Sequence, residues 1–206
     1  MKILRHPLPI RVFHWLLVPA LATEIVTGLY LSNPLPHRWP VEMRRVRKAH
    51  LSVGFALGTL YLGYLYARRK YPDLVPTAAD LARLPRFLRY EAFLTHKKPQ
   101  FFKYNPGQKL LYTLWLVLIP LLGSIGIILH SPHFFTRPVS LVGGLNRIRR
   151  LLYLGTVALT ASIAVHIYFA LTDSVCKLRS IFTGVYETAL INRVRAWWGT
   201  LTAGGG

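Results

Sequence analysis

Four long apolar segments constrain what this chain can fold into more than any other feature of its sequence. They lie at residues 12–31, 50–67, 110–130 and 151–172. An α-helix rises 1.5 Å per residue, so each segment is long enough to cross the roughly 30 Å of hydrocarbon in a bilayer. The pattern predicts an all-α integral membrane protein, built as one four-helix bundle domain over residues 1–206.

Two more polar stretches complete the domain, a loop at 68–109 and a tail at 173–206. In the loop, Thr77 and Asp80 have the spacing of a capping box. This spacing predicts a short amphipathic helix on the membrane surface, interrupted at Pro85. The tail is predicted to continue helically to about residue 198.

Charged residues are few and unevenly placed. They make up 16% of the chain, against about 25% in a typical soluble domain. The formal net charge is nevertheless +19, because Lys and Arg collect at the ends of the apolar segments. This placement favours anionic membrane lipid or an acidic partner subunit as the interacting surface. Nucleic acid is not an expected partner, because no recognition module is visible in the sequence.

The basic residues also predict the orientation in the membrane. With four spans, the N-terminus, the loop and the tail share one side, which carries 17 of the 26 Lys and Arg residues. By the positive-inside rule we expect a multi-pass protein of the inner (cytoplasmic) membrane with both termini in the cytoplasm. Cys176 is the single cysteine, which excludes an intramolecular disulfide, a CxxC iron–sulfur site and a CxxCH attachment of haem.

Three histidines, His14, His50 and His166, lie at positions in the predicted spans where an ionisable group is costly and usually functional. Counted by helical rise, His14 is about 5 Å deep and His166 is about 9 Å deep from the same, cytoplasmic side. Histidine is the usual axial ligand of haem, so these two can ligate one iron. His50 opens the second span on the opposite side and cannot join them.

Small residues accompany these histidines. They are Gly54 and Gly58 beside His50, and Gly155 and Ser162 on the helical stripe of His166. Such stripes leave room for a flat macrocycle. The alternative is that the histidines hydrogen-bond between helices and the small residues only allow close packing. The depth-matched pair favours haem. Glu24, inside the first span, is interpreted as a hydrogen-bonded acid, with proton relay as the alternative.

Four motifs follow one another on the four spans: RVFHW at 11–15, RKAH at 47–50, KYNPGQK at 103–109 and HIYFA at 166–170. Together they resemble the cytochrome b (gamma) subunits of respiratory formate dehydrogenases, and thiosulfate reductase cytochrome b is similar. The resemblance covers about residues 11–186. KYNPGQK is the most specific motif, because neither a generic helix nor a generic loop explains it.

The resemblance implies a four-helix cytochrome with two b-type haems. In that family the subunit passes electrons from the iron–sulfur subunit of a complex, which also holds a catalytic subunit, to menaquinone or ubiquinone. It implies that His14 and His166 are the axial ligands of the cytoplasmic-side haem. It also implies that Asn105, Gly107 and Gln108 form the quinone pocket beside that haem.

The sequence departs from the family pattern at the second, far-side haem. The family's ligands there match His50 and a residue fourteen positions before His166, which in this chain is Leu152. Leucine cannot ligate iron, so either the far-side haem is absent or His50 binds it with another ligand. His130, at the end of the third span on the same side, is the candidate substitute. The position of His50 and its glycine groove favour a second haem.

The predicted function is that of a membrane-anchoring b-type cytochrome subunit. It would transfer electrons between an iron–sulfur partner subunit and membrane quinone. Nothing in the sequence resembles a substrate oxidation site, so the dehydrogenase chemistry is expected on the catalytic partner. A haem-free membrane anchor for such a complex is the alternative.

Overall fold

The computed structural model describes residues 2–32, 42–70, 73–97, 99–101 and 103–187. Its elements in chain order are β1 (Lys2–Leu4), α1 (Leu8–Ser32), α2 (Met43–Arg68), α3 (Ala78–Glu91), α4 (Pro106–His130), α5 (Thr136–Val142), α6 (Leu145–Asp173), α7 (Val175–Thr183) and β2 (Val185–Glu187). The all-α prediction is confirmed. A two-stranded sheet, which the sequence analysis did not predict, is added to it.

Each predicted span lies inside one long helix, α1, α2, α4 or α6. Among the described residues, α1, α4 and α6 are long and apolar enough to cross a membrane. Helix α2 has 26 residues but is less apolar, because Arg44, Arg45, Arg47 and Lys48 occupy its first two turns. The protein is a helical membrane protein, and the fourth span stays a prediction supported by the packing of α2 along α1.

The four long helices form two antiparallel hairpins, α1 with α2 and α4 with α6. In the first hairpin, Gly63 lets the ring of Phe13 approach so closely that a Cβ at position 63 would lie 2.5 Å from it. The hairpins meet where the Tyr61 hydroxyl of α2 donates to the backbone carbonyl of Trp115 in α4, at 3.3 Å. The haem ligands predicted on α1 and α6 therefore come from different hairpins.

The predicted capping box begins α3. Thr77 Oγ1 accepts from the backbone N–H of Asp80 at 3.3 Å, and Asp80 Oδ2 accepts from the backbone N–H of Thr77 at 2.8 Å. Lys109 Nζ in α4 donates to the same carboxylate at 2.7 Å. The capping box of α3 is therefore also the point where the loop is fixed to the start of the third predicted span.

The interruption predicted at Pro85 is wrong, because α3 continues through it to Glu91. A proline inside a helix removes one backbone hydrogen bond. The second half of α3 is held instead by Phe87, which is buried and packs edge-on against Phe169 of α6 with ring centroids 5.5 Å apart. Tertiary packing thus outweighs the local cost of the proline.

Asp80→Asn tests the electrostatic part of this contact. Hydrogen bonds from Lys109 and Thr77 lower the pKa of Asp80 to about 2. A carboxylate with a lowered folded-state pKa contributes stability above its unfolded pKa, near 4, and that stability is lost as the pH falls toward 2. We expect Asp80→Asn to lower the unfolding free energy by about 1 kcal/mol at pH 7. The difference should shrink below about pH 4. Thermal unfolding at pH 7 and at low pH measures it, and equal stability at pH 7 would contradict the expectation.

The tail does not continue α6. Ser174 is extended (φ −168°, ψ 132°) and separates α6 from α7. Gly184 then adopts a left-handed conformation (φ 82°) that ends α7. The prediction of a continuous helix is therefore wrong up to residue 187, and its remainder, 188–198, lies outside the described residues.

The chain after Gly184 returns to the N-terminus. Strand β2 pairs antiparallel with β1, with Ile3 opposite Tyr186. The backbone N–H groups of Arg5 and His6 donate to the Gly184 carbonyl at 2.8 and 3.1 Å. This sheet fixes the N-terminal residues at the end of the bundle that carries β1, β2, α3 and α7, which we call the termini end.

Candidate haem site

His14 and His166 lie at the termini end, on α1 and α6. The His14 ring packs edge-on against Trp15, with ring centroids 5.1 Å apart. The His166 ring packs edge-on against Trp115 at 5.0 Å and against Tyr112 at 5.9 Å. The two imidazoles lie within electrostatic range of each other. The structure therefore brings the predicted pair together.

The fit of this pair to a haem iron can be tested on the hydrogen bonds of the two rings. The Nδ1 atoms of His14 and His166 are both buried, and neither has a hydrogen-bond partner among the described residues. A buried polar atom without a partner costs free energy, so a histidine that served only helix packing would be expected to find one. Two such imidazoles at matching depth on facing helices fit bis-histidine ligation of a non-covalent haem.

The small residues of α6 have a different role from the one predicted. Ser162 Oγ accepts from Trp115 Nε1 at 2.8 Å. A Cβ on Gly155 would lie 2.5 Å from Leu122 Cδ2 of α4. Both residues therefore allow α6 to pack closely on α4, which is the alternative that the sequence left open. The case for haem rests on the histidine pair and not on this stripe.

The KYNPGQK motif, for which sequence reasoning found no generic explanation, begins α4 with a capping box. Asn105 Oδ1 accepts from the backbone N–H of Gln108 at 2.7 Å, and Gln108 Oε1 accepts from the backbone N–H of Asn105 at 3.1 Å. Pro106 follows the cap at the first helical position, where a proline costs least. The statement that no helix role explains this motif is therefore wrong.

Gly107 of the same motif has a packing role. A Cβ on Gly107 would lie 2.5 Å from the Phe87 ring of α3 and 3.2 Å from the Phe169 ring of α6. Phe169 follows His166 by one helical turn on α6. The three predicted quinone residues, Asn105, Gly107 and Gln108, therefore lie at the termini end, about one turn from a predicted haem ligand.

His50, the predicted far-side ligand, contacts α1. Its Nδ1 lies 2.9 Å from Thr27 Oγ1 and 3.2 Å from Glu24 Oε2. Its Cε1 packs against Gly28, where a Cβ would lie at 3.3 Å. The groove at Gly54 holds the Glu24 carboxylate, whose Oε2 would be 3.4 Å from a Cβ there. The interpretation of Glu24 as a hydrogen-bonded acid agrees with these contacts.

The second ligand of a far-side haem has less support. Leu152 offers no ligand atom, and His130 is exposed as the last residue of α4. Gly58, predicted to widen the groove, has open space on its Cβ side. Ligation of a far-side haem by His50 and His130 stays a prediction. The contacts described for His50 are with residues of α1 and not with α4, which carries His130.

A cationic cluster borders the near-side pair and was missed in the sequence analysis. It consists of Arg5, His6, Arg68 and Lys103 around the buried ring of Tyr104, with Asp73 as their acidic partner. Arg68 is only 4% exposed. The sequence does show Arg68 at the end of a predicted span. The pairing of β1 with β2, which brings Arg5 close to Arg68, has no recognisable sequence pattern.

Comparison with known proteins identifies the family. The family model for prokaryotic cytochrome b561 matches residues 5–184. A formate dehydrogenase cytochrome b556 subunit of Haemophilus influenzae is 30% identical over 180 residues, covering 82% of this chain and 71% of the relative. A probable Ni/Fe-hydrogenase B-type cytochrome subunit of Azotobacter vinelandii is 24% identical over 199 residues, covering 85% and 82%. A similarly described subunit of Rhodobacter capsulatus is 23% identical over 197 residues, covering 84% and 75%.

These matches confirm the resemblance read from the four motifs and imply b-type haem as the cofactor. They extend over α1 to α7, the region that holds His14, His166 and the KYNPGQK motif. The chain therefore belongs to the prokaryotic cytochrome b561 family, whose members are membrane-bound b-type cytochromes.

Proposed function

We propose that this chain is the membrane-anchoring cytochrome b subunit of a respiratory oxidoreductase. It transfers electrons between an iron–sulfur subunit, itself bound to a catalytic subunit, and membrane quinone. The observation that carries the proposal is the pair of half-buried imidazoles, His14 and His166, whose buried Nδ1 atoms lack partners among the described residues. The relatives are subunits of formate dehydrogenase and Ni/Fe hydrogenase, which supports an assembly with a catalytic partner.

The residues of this chain would hold the haem in a fixed, mostly apolar setting. His14 and His166 would supply the two axial ligands, and the rings of Trp115 and Tyr112 restrict the orientation of His166. When bound, the haem supplies one-electron transfer, and its potential depends on the axial ligands and the surrounding charges. The chain itself would exclude water and set the distance to the quinone.

We propose that quinone binds at the termini end beside α4. The cap at the start of α4 uses the side-chain oxygens of Asn105 and Gln108. Their NH₂ groups take no part in the cap, and an NH₂ group is the donor that a quinone carbonyl needs. Phe169 links this region to His166 through contact with Gly107. A quinone held there would lie beside the part of α6 that carries Phe169 and His166.

Gln108→Glu separates the quinone role from the capping role. Glutamate at this position of a capping box keeps the bond to the Asn105 backbone but replaces the NH₂ donor with an oxygen. We expect haem reduction by a quinol analogue to slow at least tenfold, with the visible spectrum and the unfolding temperature unchanged. Stopped-flow absorbance measures the rate.

Gln108→Ala is the matched comparison, because it removes both the cap and the donor. It should slow the same reaction and also lower the unfolding temperature. Unchanged kinetics in Gln108→Glu would exclude this residue from quinone binding.

The proposed function is tested by the visible spectrum of the purified protein. A reduced-minus-oxidised difference spectrum should show the bands of a low-spin b-type haem, and a quinol analogue should reduce it. A protein without these bands would be the haem-free membrane anchor, which is the competing function.

The orientation with cytoplasmic termini, supported by the basic residues on that side, predicts that a cytoplasm-specific reporter fused to the C-terminus is active.

A further inference from the structure

Three cations surround the Tyr104 ring in the cationic cluster. The Arg5 and Arg68 guanidinium carbons lie 5.7 and 5.8 Å from the ring centroid, and Lys103 Nζ lies 5.3 Å from it. Arg5 also donates to the Lys103 carbonyl, and Arg68 donates to the Tyr104 hydroxyl at 3.3 Å. These contacts join the N-terminus, the end of α2 and the KYNPGQK motif in one partly buried site.

The positive charge of the cluster exceeds the acidic charge that the described residues place against it. Asp73 pairs with both Arg68 and Lys103, at 2.7 Å from Lys103 Nζ. Asp173, the other carboxylate near Arg5, pairs with Lys177 at 2.7 Å. Three cations in contact with one shared carboxylate leave an excess of positive charge, which Asp173 offsets only in part because it also pairs with Lys177. Buried charges without counter-charges are costly, so the site calls for an anion.

The cluster also has buried polar atoms without a hydrogen-bond partner among the described residues. Arg5 Nε, Arg68 Nε and His6 Nδ1 are buried and form no hydrogen bond with the described residues. Burial, together with the nearby charges of Arg5, Lys103 and Arg68, lowers the pKa of His6 to about 3, so His6 is neutral at pH 7. Two guanidinium N–H groups and one neutral imidazole are therefore available to oxyanions.

Aromatic contacts join the cluster to the haem ligands. The Tyr104 ring packs edge-on against Tyr112 at 5.1 Å, and Tyr112 packs against His166 at 5.9 Å. On the α1 side, His6 lies within electrostatic range of His14. An anion bound by the cluster would thus lie at the edge of the space between the His14 and His166 imidazoles.

We propose that the cationic cluster binds the two carboxylate side chains of the haem held between His14 and His166, with Arg5 and Arg68 as their principal partners. The inference rests on the proposed function. It follows from the buried Arg5 and Arg68 Nε–H groups, which have no partner among the described residues, and from charge, since haem b carries two carboxylates and the cluster carries an excess of positive charge. The phosphate of an anionic lipid has the same oxyanion chemistry and is the second possible source.

Arg5→Gln and Arg68→Gln test the proposal, with Arg69→Gln as the matched control. Arg69 is the next residue after Arg68, but it is exposed and lies on the Tyr66 ring at 3.6 Å. Each full-length variant is placed in vesicles of neutral phosphatidylcholine, and its haem content and midpoint potential are measured. Arg68→Lys, which keeps the charge, shows whether a loss in Arg68→Gln reflects charge or misfolding.

We expect both glutamine variants to bind haem at least tenfold more weakly, with Arg69→Gln unchanged and Arg68→Lys partly restored. Loss of a cation should also favour the oxidised haem. A tenfold change in the ratio of reduced to oxidised haem would lower the midpoint potential by about 59 mV. Iron protoporphyrin dimethyl ester, which lacks free carboxylates, should bind equally to wild-type and variant apoprotein.

Three results would overturn the proposal in distinguishable ways. Wild-type protein without haem bands would refute the proposed function and this inference with it. A normal wild-type haem that Arg5→Gln and Arg68→Gln leave unchanged, or an ester bound with the same discrimination as haem, would refute the inference alone. An effect of the variants confined to vesicles with anionic phosphatidylglycerol, with haem unaffected, would assign the cluster to lipid phosphate.

Discussion

Replacing His14 or His166 with alanine is expected to abolish the low-spin b-type spectrum. Each substitution removes one of the two imidazoles that the structure brings together across α1 and α6. An iron with one strong axial ligand is no longer low-spin, and a non-covalent haem loses the ligand bonds that retain it. We expect haem content to fall at least tenfold in each variant, with the protein still inserted in the membrane. Visible absorbance and a haem assay on the purified protein measure both effects.

His96→Ala is the matched control, because His96 is exposed in the loop before α4 and has no predicted ligand role. It should keep the full spectrum. Added imidazole should restore part of the low-spin spectrum in His14→Ala and His166→Ala, since it can occupy the vacated ligand position. A complete b-type spectrum in both alanine variants would refute the pairing.

The parts of the fold that were predicted correctly depend on hydrophobic length and helical rise. Apolar runs of about 20 residues can satisfy their backbone hydrogen bonds in lipid only as helices, so the long helices could be inferred with confidence. The same rise places His14 and His166 at similar depth from one side. Residue spacing along a helix is a local property, and it survives folding unchanged.

The parts that were predicted wrongly depend on which face of a helix meets which neighbour. Gly155 and Ser162 share a stripe with His166, but that stripe packs on α4 through Leu122 and Trp115. Helical spacing groups residues on a face without identifying what covers it. For the same reason the polar groove at Gly54 could be recognised from sequence, while its occupant, Glu24 of α1, could not.

The pairing of short segments that are far apart in the chain could not be predicted from the sequence either. Strands β1 and β2 have three residues each and are separated by almost the whole described chain. Strands this short carry no periodic pattern that distinguishes them from loop. Their pairing brings Arg5 and His6 to the end of α2, so the cationic cluster could not be predicted before the fold was known.

The contact between Glu24 and His50 bears on whether the chain holds one haem or two. His50 contacts Glu24 and Thr27 of α1, and Glu24 fills the groove that a far-side macrocycle would need at Gly54. Leu152 supplies no ligand opposite it. The arrangement favours an interhelical hydrogen-bonded pair, which was the alternative reading of such a histidine. We therefore expect one haem per chain.

Removing one member of this pair should be worse than removing both. His50→Leu leaves the Glu24 carboxyl inside the span without its imidazole partner, whereas Glu24→Leu leaves His50 with its contact to Thr27. An unsatisfied polar group away from water costs roughly 1–3 kcal/mol, so His50→Leu should unfold at a lower temperature in detergent, and Glu24→Leu should show a smaller decrease. The double variant, with leucine at both positions, should recover most of this loss, since α1 and α2 can then pack through apolar side chains. Iron analysis should give one haem per chain in the wild type and in all three variants. Two haems per wild-type chain, falling to one in His50→Leu, would instead make His50 an iron ligand and return His130 as its partner.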